Sequence, residues 1–203
     1  MSANAIEINQ GLHEEALDII FRNARTTYAW SSQPVAPSLI HELYELVKLG
    51  PTSMNLTPGR FVFISSPEAK ERLLPTLMGG NVEKTRTAPL TVIVAYDSEF
   101  YEKAGTLFPL ADVRPRFEGN AEVIKAFGEQ NGNLQAAYLI LAARGLGLSA
   151  GPMGGFNADA VNQEFFPDGK WKTLLLVNLG YPDDSTRTPR LPRLEFDEAA
   201  TIL

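Results

Sequence analysis

Two short, unbroken apolar runs constrain this chain most. Thr91-Val92-Ile93-Val94-Ala95-Tyr96 is β-branched and apolar throughout, and Leu174-Leu175-Leu176-Val177-Asn178-Leu179-Gly180-Tyr181 repeats the pattern near the other end. Runs without alternation read as central strands buried on both faces. Phe61-Val62-Phe63-Ile64 is a third, shorter run. Such strands need covering on both sides, which predicts a mixed α+β domain with a small central sheet and helices on both faces.

Helical patterns supply the cover. Residues 11–23 place Leu12, Ala16, Leu17, Ile19, Ile20 and Phe21 on a helical stripe. Pro37-Ser38 opens a helix running to about Leu49, with Ser38 as its N-cap. Another begins at Pro67 and runs to about Met78, where Gly79-Gly80-Asn81 breaks it and Val82-Glu83-Lys84-Thr85 forms a polar connection. Asn131 to Leu148 is a strong helix, and Asp159 to Phe166 a short one. Residues 97–130 mix aromatics, prolines and charges and read as a helical excursion or lid. Thr188-Pro189-Arg190-Leu191-Pro192-Arg193-Leu194 reads as an extended arm that lies across a partner subunit. With no linker or repeat, residues 1–203 read as a single domain.

Composition removes several classes of function. The net charge of -6 lacks the basic excess of a nucleic-acid binder. There are no cysteines, so disulfides, thiolate metal sites and a Cys nucleophile are excluded. His13 and His41 are the chain's two histidines, too few for a histidine-rich metal site. No run is long enough for a membrane-spanning helix, and Met1 to Glu7 has neither a basic nor an apolar region of a leader, so the expected location is cytoplasmic. No hydrolase elbow or metal-binding helix is present. Asp183-Asp184, beside Pro182, reads as a solvated turn. If the chain does chemistry, a cofactor carries it, and no side chain is singled out as catalytic.

The candidate binding residues lie in separate places. Gly50 to Arg60 is a polar loop between a helix and a strand; Gly50, with a positive φ, and Pro51 end the helix, and Thr52, Ser53 and Asn55 offer short hydrogen-bonding groups suited to a flat polar ligand. Gly151-Pro152-Met153-Gly154-Gly155 lets backbone approach a ligand with an acceptor edge, or serves only a turn. Arg25, Arg190 and Arg193, with the Thr26 hydroxyl, can converge on a phosphate; singly, each is more often a surface ion pair. Lys84, near Asn81, can place a positive charge over the electron-poor end of a bound ring.

In order along nearly the whole chain, these pieces resemble the FMN-dependent nitroreductase family. The residues that carry the likeness are Ala24-Arg25-Thr26-Thr27-Tyr28, Gly50 to Phe61, Asn81 to Lys84, Gly147 to Phe156, and Asn178 to Tyr181 with Arg190 to Arg193. Gly50-Pro51-Thr52-Ser53, Ala95 to Glu102, Gln135 to Ile140 and Arg190 to Leu194 look like its malonic semialdehyde reductase branch, the aldehyde reductase of bacterial pyrimidine degradation. The resemblance implies a nitroreductase-like fold with a small central mixed sheet flanked by helices, and an obligate homodimer whose C-terminal arm crosses to the partner subunit, with FMN at the interface. Arg25 and Thr26, with Arg190 or Arg193, would hold the phosphate. Ser53 and Asn55 would come from the other subunit, with Pro51 and Thr52 shaping that wall. Asn81 and Lys84 would meet the pyrimidine edge of the flavin; Pro152 and Met153 would lie along the ring, and the Gly154 N–H would face N5, with Gly155 beside it. Hydride would pass from NADH or NADPH through FMN to a small-molecule acceptor. The family phrase Arg-Arg-Ser-x-Arg reads Ala24-Arg25-Thr26-Thr27-Tyr28 here, which shifts weight onto the terminal arm, and Gly154 replaces an acidic residue. The readings to be separated are an aldehyde-acid reductase, a broad nitro- or quinone reductase, a non-catalytic flavin binder and a purely structural dimer.

Overall fold

The computed structural model describes residues 11–183, 185 and 188–203. The leader reading of Met1 to Glu7 and the Asp184 half of the acid pair lie outside the described residues.

All three apolar runs are strands, and a fourth joins them. β1 (Gly59–Ile64), β2 (Leu90–Asp97), β3 (Ser149–Met153) and β4 (Trp171–Gly180) form one sheet in the order β1-β2-β4-β3. β2 and β4, the two longest apolar runs, take the centre, and β2 is buried from Leu90 to Tyr96. β3 escapes a sequence reading because its glycine and proline are poor strand formers. It lies at the sheet's edge, where proline's missing N–H is tolerated.

The four strands pair antiparallel throughout rather than in a mixed pattern. The reason is the path between them: the chain leaves β1 at Ile64 and returns to the same end, Ile64 standing opposite Thr91. Among the described residues the parallel contact is an isolated bridge, Thr26 to Ala150.

The helices follow in chain order. α1 (Glu14–Leu17) runs into one π-helical turn, Asp18–Arg22. α2 (Pro37–Val47) has Pro37 in its first turn, so the cap is Ala36 and Ser38 lies inside the helix. α3 (Pro67–Leu73), capped by Ser66, tightens into a 3-10 turn, Leu74–Thr76. Gly79-Gly80-Asn81 does not break a helix; it opens α4 (Gly79–Thr87), so Asn81 and Lys84 ride one face, three residues apart. α5 (Ala104–Leu107) sits between 3-10 turns at Phe100–Lys103 and Arg114–Arg116. α6 (Ala121–Gly145) is capped by Asn120 and starts well before Asn131. α7 (Ala158–Phe165) and α8 (Phe196–Ala199) follow.

One core lies on each sheet face. Leu90, Val92, Val94, Val177 and Leu179 pack with Leu43 and Val47 of α2 and with Ala136, Leu139 and Ala143 of α6. Ile93, Ala95, Leu176 and Met153 pack oppositely with Leu73 and the α7 residue Val161. Residues 97–130 are an ordered third cluster: Phe100 stacks on Phe127 at 4.8 Å and meets Phe117 edge-on at 5.0 Å, with Leu56 of the polar loop buried among them.

Candidate functional site

After the π turn the chain lies against β3. Thr27 N donates to Ala150 O at 3.1 Å, and Trp30 bridges to Pro182. Gly151 permits this approach, since a Cβ there would stand 2.5 Å from Thr27 O. The segment walls a cavity of about 220 Å³ that Arg25, Thr26, Arg144, Gly147 and Ser149 help to line.

Guanidinium groups gather on the turn beside it, and those of Arg25 and Arg144 line the cavity. Arg25 donates to Arg22 O and Ala24 O, both at 2.9 Å. Arg190 reaches back to the same turn, donating to Phe21 O at 2.7 Å, Arg22 O at 2.6 Å and Ala24 O at 3.1 Å. Arg144 donates to Ile20 O at 2.9 Å. Arg193 turns onto its own arm, donating to Leu191 O and Pro192 O. The structure therefore brings Arg190, and not Arg193, to Arg25. Burial first, and the neighbouring Arg190 charge second, hold the Arg144 guanidinium below its usual pKa. Among the described residues Arg144 and Arg190 have no carboxylate partner, whereas Arg22 pairs with Glu14 and Asp18. That donor set suits a phosphate: fixed positive charge, planar forks and a hydroxyl.

A second group meets at the other end of β3. Asn81 Nδ2 donates to Gly155 O at 2.6 Å, and Met78 N to the same oxygen at 3.0 Å. Lys84 Nζ stands 5.1 Å from the centre of the Tyr28 ring. The Lys84 carbonyl accepts from Trp30 Nε1 at 2.9 Å and from Asn178 Nδ2 at 3.2 Å, which fixes α4 against both β4 and the N-terminal segment. Among the described residues no carboxylate pairs with Lys84. Gly151 and Gly155 are explained by intramolecular packing, against Thr27 O and Asn81 Nδ2; Gly154 has nothing within 4 Å of a Cβ position and is exposed. The Met153 side chain is buried and its sulfur accepts from Thr85 Oγ1, so it does not lie along an external ring; that strand offers a ligand its backbone and the half-buried Pro152.

The polar loop is elsewhere. Gly50 does not have a positive φ; it is needed because the Tyr138 ring lies 2.1 Å from where its Cβ would be. Tyr138 OH donates to Pro51 O at 2.8 Å, Ser53 N donates to Asn131 Oδ1 at 2.8 Å, and Thr57 N donates to Thr52 Oγ1 at 3.1 Å. Asn55 Nδ2 donates to Leu107 O at 2.9 Å. Met54, Asn55 and Thr57 have φ of 51°, 53° and 37°, a left-handed path that costs non-glycine residues on the order of 1–3 kcal/mol each. Asn131, which anchors Ser53, and Arg144, which lines the cavity, are separated by about 20 Å of α6. One chain thus brings Arg25, Thr26 and Arg190 together and Asn81 to Gly155, with Lys84 three residues further along α4 and its ammonium over Tyr28, but holds Ser53 and Asn55 away from the arginine cavity.

Sequence reasoning missed Arg144, Asn131, Gln135 and Asn178. Asn131 and Gln135 are buried in α6, and Gln135 Oε1 accepts from Gly59 N at 2.6 Å. A polar residue inside an apolar stripe or run was the signal for these; nothing marks Arg144.

The nitroreductase family profile matches residues 21–181. A candidate NADH dehydrogenase/NAD(P)H nitroreductase of Ralstonia nicotianae is 52% identical over 192 residues, covering 95% of this chain and 98% of that protein. A like-named protein of Rhodopseudomonas palustris is also 52% identical, with the same coverage. In fold, the chain is similar to a candidate NAD(P)H:FMN oxidoreductase of Staphylococcus epidermidis (TM-score 0.85, 19% identity, 96% and 98% of the two chains). It is also similar to a candidate nitroreductase of Exiguobacterium sibiricum in complex with FMN (TM-score 0.82, 22% identity, 96% and 99% covered). The chain belongs to the nitroreductase family, a family of FMN-dependent oxidoreductases.

Proposed function

We propose that the chain is an NAD(P)H-dependent FMN reductase that delivers hydride to a small acceptor, and that the acceptor is malonic semialdehyde, reduced to 3-hydroxypropionate. The observation that carries the cofactor reading is the layout along β3. An arginine-lined cavity stands beside Ala150, the Asn81 amide stands beside Gly155, and the Lys84 ammonium lies between them over Tyr28 on the same helix as Asn81. When bound, FMN would supply the hydride chemistry. Arg25, Thr26 and Arg190 would hold its phosphate. Asn81, Lys84 and the backbone at Gly154 and Gly155 would face its ring system, and the Lys84 ammonium would favour negative charge there.

The active unit on this reading is a homodimer, with Pro51, Thr52, Ser53 and Asn55 completing the site from a second copy. Two features support it. The loop stands too far from its own chain's cavity. The arm exposes Leu191, Leu194, Phe196, Ile202 and Leu203, apolar surface that another subunit would cover. On this reading residues 1–203 act as one domain, and dependence on NAD(P)H is consistent with work in the cytoplasm. The acceptor assignment rests on the branch-like phrases of the sequence, and pyrimidine degradation is the setting they suggest.

Competition between acceptors tests it. With NADH or NADPH saturating, kcat/KM for malonic semialdehyde should exceed that for quinones and nitroaromatics. The reverse order would make the protein a broad nitro- or quinone reductase.

A further inference from the structure

The proposed function gives Arg144 no part, yet Arg144 lines the cavity on which that function rests. It sits in the last turn of α6, half-buried, and shares the cavity wall with Arg25, Thr26, Gly147 and Ser149. One of its five donors is spent on Ile20 O. Asp183 is also in the wall, but its Oδ1 accepts from Ser185 N at 3.0 Å and Ser185 Oγ at 2.7 Å. Arginine does not lose its proton in a protein, so a half-buried guanidinium beside a second one remains a desolvated positive charge until an anion arrives.

We propose that Arg144 joins Arg25 and Arg190 in one phosphate pocket and grips the terminal phosphate of the cofactor from the α6 side. This rests on the FMN reading and extends it. The three guanidiniums come from distant parts of the chain, and all fasten on carbonyls of residues 20–24. That shared anchor sets their spacing before the ligand binds, so little ordering is left to the moment of binding. The competing role is structural: a cation at the end of α6 suits the helix dipole and ties Ile20 down.

The two roles separate in binding measurements on apoprotein. Flavin fluorescence quenching gives Kd for FMN and for riboflavin, which lacks the phosphate, with inorganic phosphate as a competitor. For wild type, FMN should bind more tightly than riboflavin, and phosphate should compete with FMN. Arg144→Gln keeps a donor for Ile20 O but removes the charge. It should weaken FMN by about 10- to 100-fold, the loss of one charge-assisted contact, and leave riboflavin unchanged. If Arg144→Gln does not fold, as judged by thermal melting, Arg144→Lys is read the same way: a several-fold loss confined to FMN supports the proposal. Equal loss for both flavins, or no loss for either, overturns it in favour of the structural role. Wild type that binds neither flavin overturns the FMN reading itself and this proposal with it.

Discussion

Gly151→Ala tests the contact on which the arginine cavity is built. The new Cβ would stand 2.5 Å from Thr27 O and 3.3 Å from Trp30 Cζ2. The oxygen is backbone and has no rotamer to escape into, so the N-terminal segment must retreat from β3 by most of an ångström. Overpacking of this kind costs about 1–3 kcal/mol. The neighbouring bond from Thr27 N to Ala150 O, 3.1 Å long, is strained in the same movement and adds about 0.5–1.5 kcal/mol. The sum, about 2–4 kcal/mol, lowers the melting temperature of a chain this size by roughly 5–15 °C. FMN affinity should fall in parallel, because the displaced segment carries Arg25 and Thr26. Gly154→Ala is the control. A Cβ there meets nothing within 4 Å, and the change should stay within about 0.5 kcal/mol of wild type. Melting of the two apoproteins, followed by FMN titration, is the assay. Gly151→Ala melting within a degree of wild type would refute the reasoning, as would Gly154→Ala melting as low as Gly151→Ala.

Asn178→Leu should destabilise by about 2–4 kcal/mol in urea unfolding, since it removes bonds to Thr91 Oγ1 (2.7 Å), Thr85 Oγ1 (3.1 Å) and Lys84 O (3.2 Å) in a buried site. Adding Thr91→Val should recover part of the loss, because the stranded hydroxyl goes too; strict additivity would show that the two residues are not coupled. Lys70 is buried within α3 and donates to Ala88 O, and desolvation lowers its pKa. Between the folded and unfolded values the unfolded chain binds more protons, so its contribution to stability rises with pH toward the ordinary lysine value. Wild type should therefore gain on Lys70→Met in urea melts between pH 7 and pH 10, about the ordinary lysine pKa; a constant difference would contradict this.

The core was legible and the site's framework was not. β2 and β4 announce themselves because a centre strand buried on both faces needs an unbroken apolar run. β3 does not, because an edge strand tolerates glycine and proline and its composition imitates a turn. Gly79-Gly80 imitates a helix break for a similar reason: glycine at a helix start costs little, and only the packing of the following turn shows that α4 begins there. Ser38 was an attractive cap by type, but Pro37 fills the first turn. The choice between Arg190 and Arg193 depends on where an extended arm folds back, which no local pattern encodes; the carbonyls of residues 21–24 decide it. Arg144 is invisible for a different reason. At a helix end, arginine is the commonplace choice, and only the cavity beside it gives it meaning.

The central claim is that the arginine cavity and the Asn81 to Gly155 edge hold FMN and that NAD(P)H reduces it there. The visible absorption spectrum of the purified protein, before and after anaerobic NADH or NADPH, tests it most directly. The account predicts a yellow protein with an oxidised-flavin spectrum that bleaches on adding reductant. A colourless protein that takes up no added FMN would contradict the site, and a yellow protein that neither reductant bleaches would contradict the enzyme.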